Sequence, residues 1–231
     1  MEIRYLGHGG FQINFNESQL IIDPFVSGNP LAKSIDIDNL EADYILLTHG
    51  HEDHVLDAES IAKKFGSTII SNFEIVSWYG AREILGHPMN HGGKYRFEFG
   101  CVKYVNAIHS SVLPDGTYGG NPGGFVIWND EKGKDNICIY IAGDTALTID
   151  MKLIPETCPK IDLAILPIGD NFTMGYEDAA LAAEFVNASK IIGCHYDTFP
   201  PIVIDRKSAV DCFRKRGKEL ILLDIGSQIN I

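Results

Sequence analysis

The chain has 231 residues, 45% of them hydrophobic and 22% charged, which fits one large globular domain (1–231) with a substantial core. Its formal net charge of −12 opposes attraction to nucleic-acid phosphates and suits the capture of cations, so no nucleic-acid partner is expected. Residues 1–7 lack an apolar signal core and no later apolar run approaches bilayer-spanning length, so a cytoplasmic chain without a membrane partner is expected.

Residues 3–5, 11–15 and 20–22 read as short strands, the last two joined by the turn Asn16-Glu17-Ser18. The third strand runs into Asp23-Pro24, where proline ends the ladder and leaves a carboxylate at the strand end. Residues 27–39 are polar and irregular and read as a surface loop. An apolar strand at 44–47 then leads into Thr48-His49-Gly50-His51-Glu52-Asp53-His54. Residues 57–66 follow as a helix, with Asp57 as its cap, Glu59 in its first turn and Gly66 as its stop. Residues 68–71 read as a strand and 73–85 as a second helix.

Further on, 94–99 and 101–108 alternate around Gly100 and form a hairpin that delivers His109. A second hairpin, 123–128 and 137–142, is joined by the charged, turn-rich segment 129–136 and delivers Gly143-Asp144-Thr145. Residues 163–166 are a strand running into the loop 167–175, 177–186 an alanine-rich helix, and 190–194 a strand that delivers His195. Residues 208–216 form the last helix, with closing strands at 220–223 and 228–231. Asp23, His49, His109, Asp144, Asn171 and His195 all sit at or just past the end of an apolar run, where sheet proteins gather ligands. The fold class expected is α+β, a four-layer αββα sandwich.

Three imidazoles and the carboxylate of Asp53, beside Glu52, within six residues point to a metal site. His49 and His51, two apart, face the same way on an extended backbone, while Asp53 and His54 swing to a second point as the chain turns helical, so one loop can feed two adjacent ions. Imidazole and carboxylate donors suit zinc, with manganese, nickel or iron as replacements. The five cysteines are scattered, odd in number and form no CxxC pair, which argues against disulfides and thiolate zinc and for buried small residues. Asp23 and Thr48 are candidates to orient the ligand loop by hydrogen bonds. His8, in a Gly-flanked turn, is either a general acid or substrate donor, or a structural turn histidine. His87 and His91 read as loop-packing residues. Asn171, Thr173, Tyr196 and Thr198 are candidates for a substrate rim, with helix capping as the simpler role of Thr173. The glycine-rich stretch 119–124 matches no phosphate-binding fingerprint and reads as a flexible pocket edge.

The series His49-x-His51-x-Asp53-His54, His109, Asp144 and His195 resembles the motif series of the metallo-β-lactamase superfamily. The phrases Leu6-Gly7-His8-Gly9, Pro88-Met89-Asn90, Ala142-Gly143-Asp144-Thr145, Pro167-Ile168-Gly169 and His195-Tyr196-Asp197-Thr198-Phe199-Pro200-Pro201 are similar to the metal-dependent hydrolases akin to ascorbate-6-phosphate lactonase. The resemblance implies that His49, His51 and His109 hold one metal, that Asp53, His54 and His195 hold the other, and that Asp144 bridges them. Two divalent ions, most readily zinc, would share a hydroxide between them, and Asp53 and, from its place in the turn, His8 are the candidate catalytic groups. The expected reaction is hydrolysis of a small-molecule ester, lactone or phosphorylated metabolite; self-association into a homo-oligomer is left open. A phosphodiesterase or ribonuclease using the same ions is the alternative, opposed by the acidic balance and by the lack of a basic, aromatic-interleaved tract. A di-iron redox protein is a third class, disfavoured because His51 stands where a carboxylate would suit iron, and a non-enzymatic metal sensor a fourth.

Overall fold

In the computed structural model, which describes residues 1–129 and 136–231, the first strands form where alternation and β-branching place them. β1 (Glu2–Gly7), β2 (Gly10–Phe15) and β3 (Ser18–Ile22) are an antiparallel meander. Asn16 and Glu17, at φ 48° and 67°, supply the left-handed pair that a two-residue hairpin between Phe15 and Ser18 demands. β4 (Tyr44–Leu46) lies parallel to β3, and the chain then bends through the single turn α1 (Glu52–Val55) into α2 (Ala58–Phe65). β5 (Thr68–Asn72), α3 (Phe73–Gly80) and β6 (Gly86–Met89) follow, with β5 parallel to β4 and β6 parallel to β5.

Three expectations for this part of the chain are corrected. The second helix stops at Gly80, and His87 lies on an edge strand; Pro88 is tolerated there because β6 has a strand on only one side. Gly66 ends α2 at φ 72° as expected, but Asp57 makes no cap bond. Its buried carboxylate instead accepts from Val26 N at 2.6 Å, Ser27 N at 3.0 Å and the Ser27 hydroxyl. That anchor draws the 27–39 segment inward, so Ala32 and Ile35 join the core of what reads as a polar surface loop.

β7 (Lys94–Phe97) and β8 (Gly100–Asn106) form the expected hairpin, and β9 (Gly123–Trp128) lies between β8 and β10 (Cys138–Ile141), antiparallel to both. The turn expected at 129–136 falls largely on 130–135, outside the described residues. A 3-10 turn (Ile149–Leu153) and α4 (Ile154–Thr157) lead to β11 (Leu163–Pro167), α5 (Tyr176–Phe185), β12 (Lys190–Cys194), α6 (Arg206–Lys215) and β13 (Glu219–Ile221). β10 to β13 are parallel neighbours, and β14 (Gln228–Asn230) returns to pair antiparallel with β1.

The described chain divides into two compact units. One comprises 1–90, 110–122 and 224–231 around a sheet ordered β14-β1-β2-β3-β4-β5-β6; the other comprises 91–109 and 123–223 around β13-β12-β11-β10-β9-β8-β7. In the first, Ile21, Ile45 and Ile69 of the sheet pack with Ile61, Ile75 and Tyr79 of the helices. In the second, Tyr140, Ala164 and Ile191 pack with Ala179, Ala183 and Phe213, the alanines of α5 letting it lie close to its strands. β11 is buried at every residue, as expected of a parallel strand covered on both faces. Cys138 and Cys194 are buried, whereas Cys101, Cys158 and Cys212 are half-buried. Among the described residues no helix is long and apolar enough to cross a membrane.

Because Asp57 accepts from the backbone N–H groups of Val26 and Ser27 where the inward loop begins, Asp57→Ala is expected to lower stability by about 3 kcal/mol, measured by urea denaturation.

Candidate metal centre

In the first unit the ligand loop is built on Asp23. This residue ends β3 at φ 41°, its N–H bonded to Leu46 O at 3.1 Å, so that its carboxylate points at the chain leaving β4. One oxygen accepts from Thr48 N at 2.8 Å; the other accepts from the Thr48 hydroxyl at 2.6 Å and lies 2.8 Å from His54 Nδ1. All three residues are buried. A carboxylate facing Nδ1 favours the tautomer protonated there, which turns the Nε2 lone pair of His54 into a donor for a cation. The same logic applies to His49, whose Nδ1 lies 3.0 Å from the Thr48 hydroxyl oxygen.

His51 begins the turn into α1 and has Nε2 3.1 Å from the Ser110 hydroxyl. These outer partners direct His49 Nε2 and His51 Nδ1 toward each other, 3.0 Å apart. Two imidazole nitrogens converging on one point suit a divalent ion that both can ligate in their neutral tautomers, so the donor set fits a metal. A second group forms on the other side of His54, where His8, Asp53 and His54 each offer a ligand atom within 4.8 Å of the others. His8, fully buried at φ 55°, places Nε2 3.0 Å from Asp53 Oδ2, while Tyr5 OH donates to the His8 carbonyl at 3.1 Å. Gly9 is required beside it, since a Cβ there would lie 2.8 Å from His54 Cε1.

Sequence reasoning missed the support that residues 110–122 give this loop. Gly50 N donates to the Ser111 hydroxyl at 3.0 Å, that hydroxyl donates to Gly119 O at 2.9 Å, and Asn72 Nδ2 donates to Gly119 O at 2.7 Å. Asp115 is fixed in turn: the Trp78 indole N–H and Thr117 hold its carboxyl down at about 2. The glycine-rich stretch is therefore a pinned element where a flexible edge is expected. Two serines after a histidine carry no sequence signal of this role.

In the second unit, Asp144 Oδ2 lies 3.0 Å from His195 Nε2 and 3.6 Å from His109 Nε2, so the three residues expected as ligands on this unit meet at one carboxylate oxygen. Thr145, beside Asp144, ties the His109 loop to the segment that follows β11: its hydroxyl oxygen accepts from Ile108 N at 3.0 Å, and its carbonyl accepts from Met174 N at 3.0 Å. Gly169 lets the chain after β11 pass His195, whose carbonyl would be 2.0 Å from a Cβ at that position. Tyr196 and Thr198 are buried, which corrects their assignment to a rim, and α5 is capped by Gly175, not by Thr173, whose hydroxyl donates to Met174 O. Asn171 is exposed at φ 54°. His91 packs against Tyr104 with ring centroids 4.9 Å apart and planes tilted by 37°, in keeping with a packing role.

Asp23→Asn keeps the size of the side chain but presents N–H groups where acceptors are needed. Metal retention is expected to fall on the order of 10- to 100-fold, read by competition with a chromogenic chelator; unchanged affinity would overturn the orienting role.

Comparison with known proteins agrees with this chemistry. The family model for the beta-lactamase superfamily domain matches residues 2–195. A UPF0173 metal-dependent hydrolase of Christiangramia forsetii is 56% identical over 232 residues, covering all of both chains, and one of Thermus thermophilus is 46% identical over 95% of this chain and 94% of its own. Among solved structures, Igni18, a metallo hydrolase from the archaeon Ignicoccus hospitalis, superposes with a TM-score of 0.86 at 30% identity, covering 99% of this chain and 97% of that one. With two mixed sheets and flanking helices of the α+β class, the chain has the metallo-β-lactamase fold. It belongs to the metallo-β-lactamase superfamily and, within it, to the UPF0173 metal-dependent hydrolases.

Proposed function

We propose that this metal-dependent hydrolase works with a dinuclear centre, most readily zinc, and cleaves a small ester, lactone or phosphorylated metabolite. In this reading, which follows the family's motif series, His49, His51 and His109 hold one cation, Asp53, His54 and His195 the other, and Asp144 is shared. The observation that carries it is the placement of the two rings: with the outer nitrogens of His49 and His51 against the Thr48 and Ser110 hydroxyls, the inner nitrogens converge 3.0 Å apart, where both rings can offer a lone pair to one ion. An all-nitrogen and carboxylate set without thiolates suits zinc, manganese, nickel or iron.

When bound, paired divalent cations supply Lewis acidity that makes water a nucleophile at neutral pH and polarises the scissile carbonyl or phosphoryl group. The protein's own part is to hold ligands and move protons. Asp23 and Thr48 lock the two imidazoles in position before any cation arrives. Asp53 is the carboxylate placed to accept a proton, because its Oδ2 already lies 3.0 Å from His8 Nε2. His8, buried and oriented by its backbone, is the candidate acid that returns a proton to the leaving group.

The test is metal analysis on protein purified without a chelating column, joined to a screen of lactones, thioesters, phosphodiesters and phosphomonoesters. Two metal equivalents per chain are expected, with hydrolysis lost on chelation and restored by zinc. His51→Ala is expected to lower turnover by at least a thousandfold and to reduce the metal content; a variant with full activity and full metal would overturn the ligand assignment.

A further inference from the structure

We infer that the substrate carries an uncharged, apolar arm next to its scissile bond, so that esters, lactones or thioesters of apolar acyl or alkyl groups are favoured over phosphorylated metabolites. The inference rests on the hydrolase reading above and narrows its substrate class. It stands on how the two kinds of side chain are distributed along the strand ends.

Large apolar side chains are exposed where the candidate ligands are held. In the first unit, Val112 and Tyr118 are 46% and 60% exposed and face each other across an isolated β-bridge. Their loop is the one whose Ser110 touches His51 and whose Ser111 holds Gly50. In the second unit, Ile108 precedes His109 and Phe172 lies two residues before Met174, and both segments hang on Thr145 beside Asp144. Each is 52% exposed. These are four of the thirteen large apolar side chains exposed among the described residues. Keeping them in water costs solvation free energy, so on each unit the pair beside the candidate ligands marks a surface for something apolar.

Basic side chains show the opposite distribution. The chain has 19 lysines and arginines, yet none falls within the ten residues that follow β3, β4, β10 or β12, nor in 107–122 after β8 or 168–189 after β11. The first guanidinium past His195, Arg206, is engaged by Asp197 at 3.0 and 3.1 Å. Helix N-termini, the other common phosphate cradle, carry their own carboxylates: Glu52 and Asp53 on α1, Glu74 on α3, Glu177 and Asp178 on α5. A phosphate remote from the scissile bond would meet carboxylates at these helix ends, and the segments that directly follow these strands offer it no cation, the next being Lys33 after β3 and Lys152 after β10.

The test compares esters of one alcohol with acyl chains from acetyl to hexanoyl, and a butanoyl ester with and without a remote phosphate on that alcohol. With metal-loaded protein, kcat/KM is expected to rise about twofold to fourfold per methylene, as burial of each group dictates. The phosphate-bearing ester is expected to fall at least tenfold below its neutral twin, and Phe172→Asp or Tyr118→Asp to flatten the chain-length series. In parallel, unreactive N-alkyl acetamides are titrated calorimetrically into chelator-stripped protein, where affinity is expected to rise with chain length and the same variants to abolish the rise. Preference for the phosphate-bearing ester, or chain-length series flat in both readouts, would overturn the apolar arm and leave the hydrolase reading standing. If metal-loaded protein cleaves nothing in this panel and nothing in the screen of lactones, thioesters, phosphodiesters and phosphomonoesters, the hydrolase reading falls, and the acetamide titration decides the arm by itself.

Discussion

A buried carboxylate is the constraint on which the first unit's ligand loop depends. Removing Asp23 from water is costly unless its lone pairs are filled, and Thr48 N, the Thr48 hydroxyl and His54 Nδ1 fill them. None of these three donors can leave without stranding a charge in the interior. The parallel register of β3 and β4, with Ile22 opposite Leu46, brings the two strand ends level, so that one short side chain reaches the whole loop. The loop is therefore preorganised by a satisfied charge, and its histidines need no cation to find their orientation.

This arrangement draws on backbone strain. His8, Asp23, Asp170, Asn171, His195 and Asp197 all take left-handed conformations without being glycine, and each stands within a few residues of a strand's carboxyl end. Such residues cost on the order of 1 kcal/mol or more each, and they persist only where the surroundings over-determine them. The surroundings here are strands such as β10 and β11, buried at every residue, and helices seated by alanine. Sharp left-handed corners turn a side chain back over the strand it follows, which is how His8 comes to face Asp53 and His195 to face Asp144.

Much of this was legible in the sequence because it is encoded locally. Apolar β-branched runs mark most of the strands, and the density of histidine in 49–54 marks the ligand loop before any partner is known. Reading failed where a side chain's partner is distant in the chain. Asp57 has the sequence of a helix cap, yet it serves Val26 and Ser27, some thirty residues upstream, because a buried backbone in need of acceptors outweighs a cap exposed to water. Gly86–Met89 has the composition of a loop and becomes a strand only because β5 offers it an edge. Tyr196 and Thr198 look like rim residues by proximity to His195, but the left-handed corners at His195 and Asp197 turn that segment inward. Ser110 and Ser111 are silent in sequence for the same reason, since hydroxyls acquire meaning only from what lies opposite.

The exclusion of lysine and arginine from the strand ends follows from the demands on the carboxylates there. A cationic side chain within reach of Asp53 or Asp144 would pair with it, and an ion would then have to displace a salt bridge before being bound. Leaving these carboxylates to imidazoles avoids that competition, because a neutral ring can orient a carboxylate and yield it, whereas a guanidinium holds it. The same choice limits what can recognise a substrate. Where these segments carry no cation, affinity beyond the reacting group draws on backbone groups and on apolar surface, and Ile108, Val112, Tyr118 and Phe172 expose such surface on the loops that hold the candidate ligands. The acidic chain as a whole then favours the cation, while the local apolar groups favour the substrate, and the two forms of recognition do not compete for the same side chains.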